Sequence, residues 1–276
     1  KTTLVNGLVG SLPDGATVLS FDEYYHDLAH LSPRERAVVN FDHPDSLDSE
    51  LLLSHLAEVM GERPVSHVVI VNDAFGALTV AIAAAGESGV LQHVRFVSDS
   101  HVASMAMRQN LERNGIEQLP ESGVGAPDVV LVKVPKTLAL LEAQLVELRA
   151  VIEPTTVIVG GGMTRDVHSS TIELFERTIG PTRTSHAKKK ARLIFSTLEP
   201  ELSPTAPQPT VFALGRQDAQ LVNYPGVFSA QRLDSGTRLL LDNLPATVDG
   251  PDVIDLGCGN GALGLAVALA GGGFLK

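Results

Sequence analysis

Two segments of this chain follow one pattern, an apolar strand, a turn and a helix, and that pattern constrains the fold more than any other feature. Val253–Leu263 reads VIDLGCGNGAL, an apolar run that leads into a glycine-rich turn. Val68–Leu78 reads VVIVNDAFGAL in the same frame and keeps only the last glycine, Gly76. Glycines at such a turn let the backbone approach a nucleotide-like ligand. The repeat therefore predicts two α/β units, of which the second can admit a cofactor and the first cannot.

Composition narrows the class of protein. With 276 residues, 44% of them hydrophobic, the chain can form one large or two ordinary domains with a substantial core. No apolar run reaches the ~18 residues that span a bilayer, and the N-terminus lacks the pattern of a secretory signal. The single cysteine, Cys258, excludes an intrachain disulfide and a cysteine-based metal site. We therefore expect a cytoplasmic protein without a membrane, disulfide or metal partner.

The distribution of charge bears on nucleic-acid binding. The formal net charge is −11 and the pI is near 5.2, which argues against broad, nonspecific binding of polyanions. A local basic cluster of Lys188, Lys189, Lys190 and Arg192 nevertheless offers positive charge that could contact RNA phosphates. The same cluster could also form the solvated edge of a helix or strand. The sequence leaves both interpretations open.

Hydrophobic periodicity predicts the secondary structure and the domain limits. Residues 64–198 alternate short apolar runs with longer amphipathic ones, as the βα units of a parallel sheet do, and leucines at helical spacing predict a helix over Thr137–Val151. Residues 199–209 are rich in Pro, Ser and Thr and read as a linker, after which a second unit occupies residues 210–276. The predicted strands of the first unit are His67–Val71, Val94–Ser98, Val129–Val134, Thr156–Val159 and Arg192–Thr197.

Several segments between about residues 65 and 270 occur in the order found in one enzyme family. They are Asn72–Leu78, Val132–Glu142, Arg165–Glu176, Gly180–Thr182, Lys189–Leu193, Gly226–Ser229 and Asp255–Gly261. Through these segments the chain resembles the ribosomal RNA guanine-N2 methyltransferases of the RlmG/RsmC type. The resemblance implies an α/β fold in which a Rossmann-like class I methyltransferase sheet forms a degenerate first copy. The start of a second, catalytic copy follows it.

The resemblance also implies S-adenosylmethionine (AdoMet) as cofactor and ribosomal RNA as partner. Gly257, Gly259 and Gly261 would pass beneath the methionine part of AdoMet, and Asp255 would help to position its charged end. In this family an Asn-Pro-Pro-aromatic motif holds the guanine amine, and it lies downstream of the glycine turn; this chain has no such motif after its turn. We therefore expect a unit truncated after the glycine turn. It would contain no residue that catalyses methyl transfer, and the chain alone would be inactive.

The degenerate copy can be compared with the family pattern at two further places. Asp99 stands where an acidic residue would hold the cofactor ribose, and Lys133–Lys136 stands where the catalytic copy would have Asn-Pro-Pro-aromatic. A lysine ammonium group has no acceptor lone pair, so Lys133 and Lys136 cannot accept a hydrogen bond from a base amine. A role for these lysines in RNA docking or domain packing stays open.

Residues 1–60 have a different residue pattern and resemble a fragment of uridine kinase, a P-loop nucleoside kinase. The segments that carry this likeness are Lys1–Thr3, Val18–Asp22, Tyr24–Tyr25 and Asn40–Asp45. The resemblance implies Asp22 as the base for the ribose hydroxyl and Lys1 and Thr2 as contacts to phosphate and Mg²⁺. It implies a nucleoside site built from Tyr24, Tyr25, Asp42 and His43. ATP and Mg²⁺ would bind only to a completed fragment, because the glycines that cradle phosphate are missing.

Three functions are thus open from the sequence. The first is AdoMet-dependent N2-methylation of a guanine in ribosomal RNA, with this chain as an incomplete form. The second is a noncatalytic RNA-binding or interaction module built from the degenerate copy. The third is a uridine kinase remnant that phosphorylates uridine or cytidine with ATP.

Overall fold

A computed structural model describes residues 32–36, 65–86, 93–116, 125–187, 191–215, 218–244, 252–270 and 274–275. Lys188–Lys190 lie outside the described residues, as do all the residues of the predicted kinase-like site: Lys1, Thr2, Asp22, Tyr24, Tyr25, Asp42 and His43. The chain divides into two compact units. The first comprises Lys1–Lys136 and Leu145–Pro204, and the second comprises Thr137–Gln144 and Thr205–Lys276. The division after Pro204 falls inside the predicted linker 199–209, whose limits stay a prediction.

The first unit contains a six-stranded sheet. Its strand order is β2-β1-β3-β4-β6-β5, in which β1 to β4 are parallel and β6 runs antiparallel to both β4 and β5. Apolar runs such as Val68–Val71 and Val129–Val132 form the central strands, and they are buried along their whole length, as expected in a parallel sheet. The strands are β1 His67–Val71, β2 His93–Val97, β3 Val129–Lys133, β4 Val157–Met163, β5 Thr182–Thr184 and β6 Ala191–Ser196.

Helices connect the parallel strands of this sheet. Helix formation is clearest at α3, where the Oγ of Ser100 accepts a hydrogen bond from the N–H of Ala103 at 3.2 Å and so caps the first turn. Ala103, Met107 and Leu111 recur at a spacing of four and form the buried face of that helix. The helices are α1 Pro33–Arg36, α2 Ala77–Gly86, α3 His101–Arg113, α4 Leu138–Arg149 and α5 Ser169–Thr178.

The final part of the first unit departs from the sequence prediction. Arg192–Thr197 was expected to add a parallel strand, but β6 is antiparallel to β4, with Ala191 opposite Met163. The reason is a short strand, β5, that precedes β6 and pairs with it as a hairpin. A hairpin reverses the chain without a crossover helix, so β6 must enter the sheet in the opposite direction. The sequence Thr-Arg-Thr of β5 is too short to show strand periodicity.

Arg149, at the end of α4, connects three parts of the first unit through hydrogen bonds: α4 itself, the end of α5 and the segment after β6. Its Nη1 donates to the carbonyl oxygens of Thr178 and Ile179, at 3.3 and 3.2 Å. Its Nη2 donates to the carbonyl oxygens of Glu199, Pro200 and Leu202. The guanidinium group therefore satisfies carbonyls at the C-terminal end of α5 and in the segment after β6. A cation at the end of α5 also interacts favourably with the helix dipole.

The second unit is smaller; its described residues form two short two-stranded sheets, two helices and the beginning of α4. A core of Leu214, Leu221, Leu241, Ala262 and Ala266 joins the first of these sheets to the two helices. Strands β7 and β8 form an antiparallel hairpin, whereas β9 and β10 are parallel. Asp234 caps α6, since its Oδ2 accepts hydrogen bonds from the N–H groups of Gly236 and Thr237. The elements are β7 Thr210–Ala213, β8 Gln220–Asn223, α6 Ser235–Asp242, β9 Asp252–Val253, α7 Ala262–Leu269 and β10 Phe274–Leu275.

None of the described helices is both long enough and apolar enough to cross a membrane.

Candidate functional site

The glycine turn of the second unit lies between β9 and α7. Gly257, Gly259 and Gly261 have φ angles of +76°, +55° and +76°. This left-handed region is accessible to glycine at little cost and strains other residues. The N–H of Gly261 donates to the carbonyl of Cys258 at 2.8 Å and closes the turn at the start of α7. The turn conformation therefore requires the glycines that the sequence places there.

The space beyond the turn is open. A Cβ atom added at Gly257 or Gly261 would meet no atom of the described residues within 4 Å, and one at Gly259 would meet only the carbonyl of Gly257 at 3.9 Å. The turn thus presents bare backbone to open space. A ligand can approach it closely, as the sequence pattern predicts.

Two side chains fix the turn onto the N-terminus of α7. The Oδ2 of Asp255 accepts a hydrogen bond from the N–H of Gly264 at 3.0 Å, and the Oδ1 of Asn260 accepts one from the N–H of Ala262 at 3.2 Å. These N–H groups have no acceptor inside the helix, so the two side chains supply the acceptors that the helix lacks. Asp255 is therefore a helix cap in this structure. Its predicted role toward the charged end of AdoMet stays a prediction.

A cavity of about 310 Å³ lies against the turn. Asp255, Gly257 and Gly259 line it, whereas Gly261 does not and instead begins α7. A second part of the lining comes from the segment before α6 and from the first turns of α6. No site role was predicted for these residues, because no periodicity or spacing in the sequence shows which segments meet in space. Its residues are Phe228, Ser229, Leu233, Asp234, Gly236, Thr237 and Leu240.

The corresponding turn of the first unit is filled by its own side chains. Asn72 has a φ of +65°, and its Nδ2 donates to the carbonyl of Lys133 at 3.1 Å. The carboxylate of Asp73 accepts hydrogen bonds from the N–H and the Oγ1 of Thr79, at 2.8 and 2.9 Å. Burial raises the pKa of Asp73, although these hydrogen bonds and the nearby Lys133 partly oppose the increase.

Gly76 shows why the first turn is closed. Gly76 and Gly261 occupy the same place in the repeat and have the same φ of +76°. A Cβ atom at Gly76 would lie 2.6 Å from the Cγ and 2.9 Å from the Cα of Met107, because α3 packs directly against the turn. In the second unit the equivalent space is open. One glycine therefore permits helix packing, and the other faces open space.

A carboxylate caps the same helix position in both units, but it comes from different places in the sequence. In the frame of the repeat, Thr79 corresponds to Gly264, and each N–H donates to an aspartate. In the second unit that aspartate is Asp255, two residues after β9. In the first unit it is Asp73, which aligns with Cys258 inside the turn. The first unit thus has the same helix cap, but its capping carboxylate lies inside the turn. The second unit leaves the corresponding part of its turn open.

Other predicted residues of the first unit lie near the carboxyl ends of its strands. Asp99 follows β2, Lys133 ends β3 and Lys136 follows it, and all three are exposed. Arg192 is half-buried in β6, opposite Gly162, and its Nε is buried without a hydrogen-bond partner among the described residues. Ser185 closes the hairpin that precedes β6 through two hydrogen bonds to Leu193. Roles of Lys133, Lys136 and Arg192 in RNA binding stay predictions.

The described ranges contain no group of three or more His, Cys, Asp or Glu side chains that could hold a metal ion.

The fold also occurs in solved proteins. The structure titled T. thermophilus 16S rRNA N2 G1207 methyltransferase (RsmC), in complex with AdoMet and guanosine, matches with a TM-score of 0.58 and 21% identity. The match covers 77% of this chain and 58% of that one. The fold is therefore a Rossmann-like class I methyltransferase fold. The family model described as RLMG N-terminal domain matches residues 35–200, and the methyltransferase small domain model matches residues 218–273. The chain belongs to the RLMG N-terminal domain family.

Two curated relatives carry the name ribosomal RNA large subunit methyltransferase G. The protein from Streptomyces coelicolor is 48% identical over an alignment of 235 residues that covers 80% of this chain and 60% of that protein. The protein from Pseudomonas paraeruginosa is 42% identical over an alignment of 229 residues that covers 80% of this chain and 59% of that protein. The chain thus spans about three fifths of the length of these relatives.

These matches do not support the uridine kinase resemblance. The RLMG N-terminal domain match begins at residue 35 and includes Asp42 and His43, which the sequence analysis assigns to the kinase-like segment. The segment Asn40–Asp45 is therefore accounted for by the methyltransferase family, without a nucleoside kinase.

Proposed function

We propose that this chain carries the AdoMet-binding turn of an enzyme that methylates N2 of a guanine in ribosomal RNA. The observation that carries the proposal is the cavity at the glycine turn of the second unit, where the backbone is bare and the surrounding space is open. The names of the curated relatives support RNA as the substrate. We also propose the cytoplasm as its location.

The residues present fit AdoMet. A volume of about 310 Å³ lies at the low end of the range for small-molecule pockets. Gly257 and Gly259 would face the methionine part, Asp255 would hold the turn in place, and the exposed ring of Phe228 would cover the mouth of the cavity. When bound, AdoMet supplies an electrophilic methyl group on a sulfonium. The chain's own contribution is to bind and orient that group.

Valine at Gly257 should weaken AdoMet binding while the second unit stays folded. A Cβ atom at this position meets no described atom within 4 Å, so the cost to the fold is mainly backbone strain at the φ of +76°, and the side chain starts in the space proposed for the ligand. We expect affinity to fall by about tenfold or more, or ~1.4 kcal/mol. Isothermal titration calorimetry measures the affinity. Protection of Cys258 from a thiol reagent locates the binding, because this sole cysteine is exposed and lines the cavity.

Gly215→Val is the matched control. Gly215 belongs to the second unit, has a φ of +78° and also faces open space, but it does not line the cavity. Both variants therefore bear the same backbone strain. Equal loss of AdoMet affinity in the two variants, or no binding by the wild-type chain, would contradict the proposed function.

We further propose that the first unit docks RNA and binds no cofactor. Asn72 and Asp73 occupy its turn and Met107 packs against Gly76, which supports a noncatalytic role. Lys133 and Lys136 place positive charge at the carboxyl edge of the sheet, and Ala191 pairs with Met163 at the same edge. Lys188, Lys189, Lys190 and Arg192 are the proposed phosphate contacts, on the basis of their charge and of their position in the sequence around Ala191.

Glutamine at Lys188, Lys189 and Lys190 should weaken RNA binding and flatten its salt dependence. Each lost phosphate contact with single-stranded RNA lowers the slope of log Kobs against log salt by about 0.7. Fluorescence anisotropy with a guanine-containing ribosomal RNA fragment at several KCl concentrations measures the slope. A variant with glutamine at the exposed Arg108 and Arg113 of α3 is the control. An unchanged slope in the lysine variant would exclude these residues as phosphate contacts.

A further inference from the structure

Two histidines lie side by side at the amino-terminal end of the first unit's sheet. His67 begins β1 and His93 begins β2, and the two residues are direct neighbours in the parallel register. Their ring centroids are 5.9 Å apart and the ring planes cross at 78°. Such an edge-to-face contact is a favoured arrangement of aromatic rings. The His67–His93 pair therefore contributes to the packing of β2 against β1.

Each ring of the pair has a buried nitrogen that lacks a hydrogen-bond partner among the described residues. These atoms are Nε2 of His67 and Nδ1 of His93. A neutral imidazole carries a hydrogen on only one nitrogen, so the other can stay a bare acceptor. In a protonated imidazole both nitrogens are donors, and the buried nitrogen becomes a charged N–H group without an acceptor. Burial of such a group is costly, so the geometry favours a neutral pair.

The surroundings of His67 also oppose a positive charge. Burial is the largest effect, the neighbouring imidazole and the exposed Arg95 of β2 act in the same direction, and they lower the pKa of His67 below the ordinary value of about 6.5. Asp128 and the backbone of Ala126 oppose this decrease only in part. The Oδ2 of Asp128 already accepts hydrogen bonds from the N–H and Oγ of Ser66 and from the N–H of His67, at 2.8, 3.0 and 2.9 Å.

The position of the pair links protonation to the edge of the sheet. Folded His67 binds a proton more weakly than the unfolded chain does. Its contribution to stability is therefore complete above about pH 6.5 and decreases as the pH falls below that value. β2 is the first strand in the sheet order and pairs only with β1 among the described strands. The first residue of β2 is held by the hydrogen bond from the N–H of His93 to the carbonyl of Ser66, at 2.8 Å.

We propose that the His67–His93 pair is a pH-sensitive contact that holds β2 on the sheet at neutral pH and releases it in mildly acidic solution. Protonation adds a positive charge to a ring that lies against a second imidazole, and the buried nitrogen gains a hydrogen that no acceptor receives. β2 separates before the central strands β3 and β4, because each of those is paired on both sides. This release depends on neither AdoMet nor RNA.

Hydrogen exchange with mass spectrometry follows β2 directly. We expect the protection of segment 93–97, corrected for the intrinsic pH dependence of exchange, to fall by about three- to tenfold between about pH 7.5 and about pH 5.5. About tenfold is the limit for one histidine with an unfolded pKa of about 6.5. Segment 93–97 should also be less protected than segment 129–133 of β3 at both pH values, since β2 opens first. Unchanged protection of segment 93–97, or equal protection of the two segments, would overturn the proposal.

Phenylalanine at both His67 and His93 removes the titrating groups and retains two aromatic rings. We expect this double variant to lose the fall in protection between the two pH values. His101→Phe is the matched control, because His101 is exposed at the start of α3 in the same unit, and it should keep the wild-type fall. A double variant that keeps the fall, or a control variant that loses it, would contradict the assignment to this pair.

A titration of the wild-type chain by nuclear magnetic resonance tests the pair without any substitution. The ring protons of His67 should titrate below about pH 6.5, because the folded chain holds this imidazole neutral. Titration at or above that value would overturn the proposal, whether or not the phenylalanine variants fold.

Discussion

Alanine at Gly76 should destabilise the first unit by about 3 kcal/mol, although this turn holds no cofactor in our proposal. About 1 kcal/mol comes from placing a non-glycine residue at a left-handed φ of +76°. About 2 kcal/mol more comes from the clash of the new Cβ with Met107, whose Cγ and Cα would lie 2.6 and 2.9 Å away. The clash involves the backbone of α3, so a rotamer change at Met107 cannot relieve it.

Gly261→Ala provides a matched comparison within the same molecule. Gly261 has the same φ of +76° and the same place before its helix, but a Cβ atom there meets no described atom within 4 Å. Its cost should be only about 1 kcal/mol, from backbone strain alone. Hydrogen exchange with mass spectrometry measures the local opening of segments 68–80 and 253–266 separately. Equal destabilisation in the two variants would show that backbone strain is the whole cause and that packing against Met107 adds nothing.

Alanine at Arg149 should lower the free energy of unfolding of the first unit by about 3 kcal/mol. The substitution removes a charged donor from the carbonyl oxygens of Thr178, Ile179, Glu199, Pro200 and Leu202. Hydrogen bonds to charged groups contribute about 1.5–3 kcal/mol each, and partial exposure lets water replace some of them. Urea denaturation followed by circular dichroism measures the change.

Arg149→Lys separates charge from geometry. A lysine keeps the positive charge at the end of α5 but has one nitrogen where arginine uses two, so it cannot span both sets of carbonyls. We expect lysine to recover less than half of the lost stability. A full recovery, or a loss below about 0.5 kcal/mol in Arg149→Ala, would show that the charge near the helix end is sufficient or that the contacts are replaceable by water.

Local sequence patterns predicted most of the first unit. Runs such as Val68–Val71 and Val129–Val132 are apolar throughout, and only a strand buried on both faces needs that pattern. The leucines of α4 predicted a helix over Thr137–Val151, and the helix spans Leu138–Arg149. The prediction of β6 was wrong only in the direction of the strand. The three residues of β5 determine that direction, and they carry no strand periodicity of their own.

The candidate site was less predictable, since its two walls are far apart in the sequence. The glycines and Asp255 follow from spacing, but the wall that contains Phe228 and Asp234 depends on how α6 meets the turn. The hydrogen bond from Gly264 to Asp255 also required coordinates, because sequence spacing does not distinguish a helix cap from a ligand contact. Likewise, Asp73 aligns with Cys258 when the sequences of the two turns are compared. The alignment therefore does not show that Asp73 and Asp255 cap equivalent helix positions.

The aspartate inside the first turn gives the two units different relations to small molecules in the cell. A protein that binds a ligand only when folded gains stability as the ligand concentration rises. The second unit, with its open turn, would respond in this way to the supply of methyl donor. Asp73 and Asn72 already occupy the first turn, so the stability of the first unit does not depend on the concentration of this ligand. Starvation for the methyl donor would therefore loosen the second unit and leave the first unit unchanged.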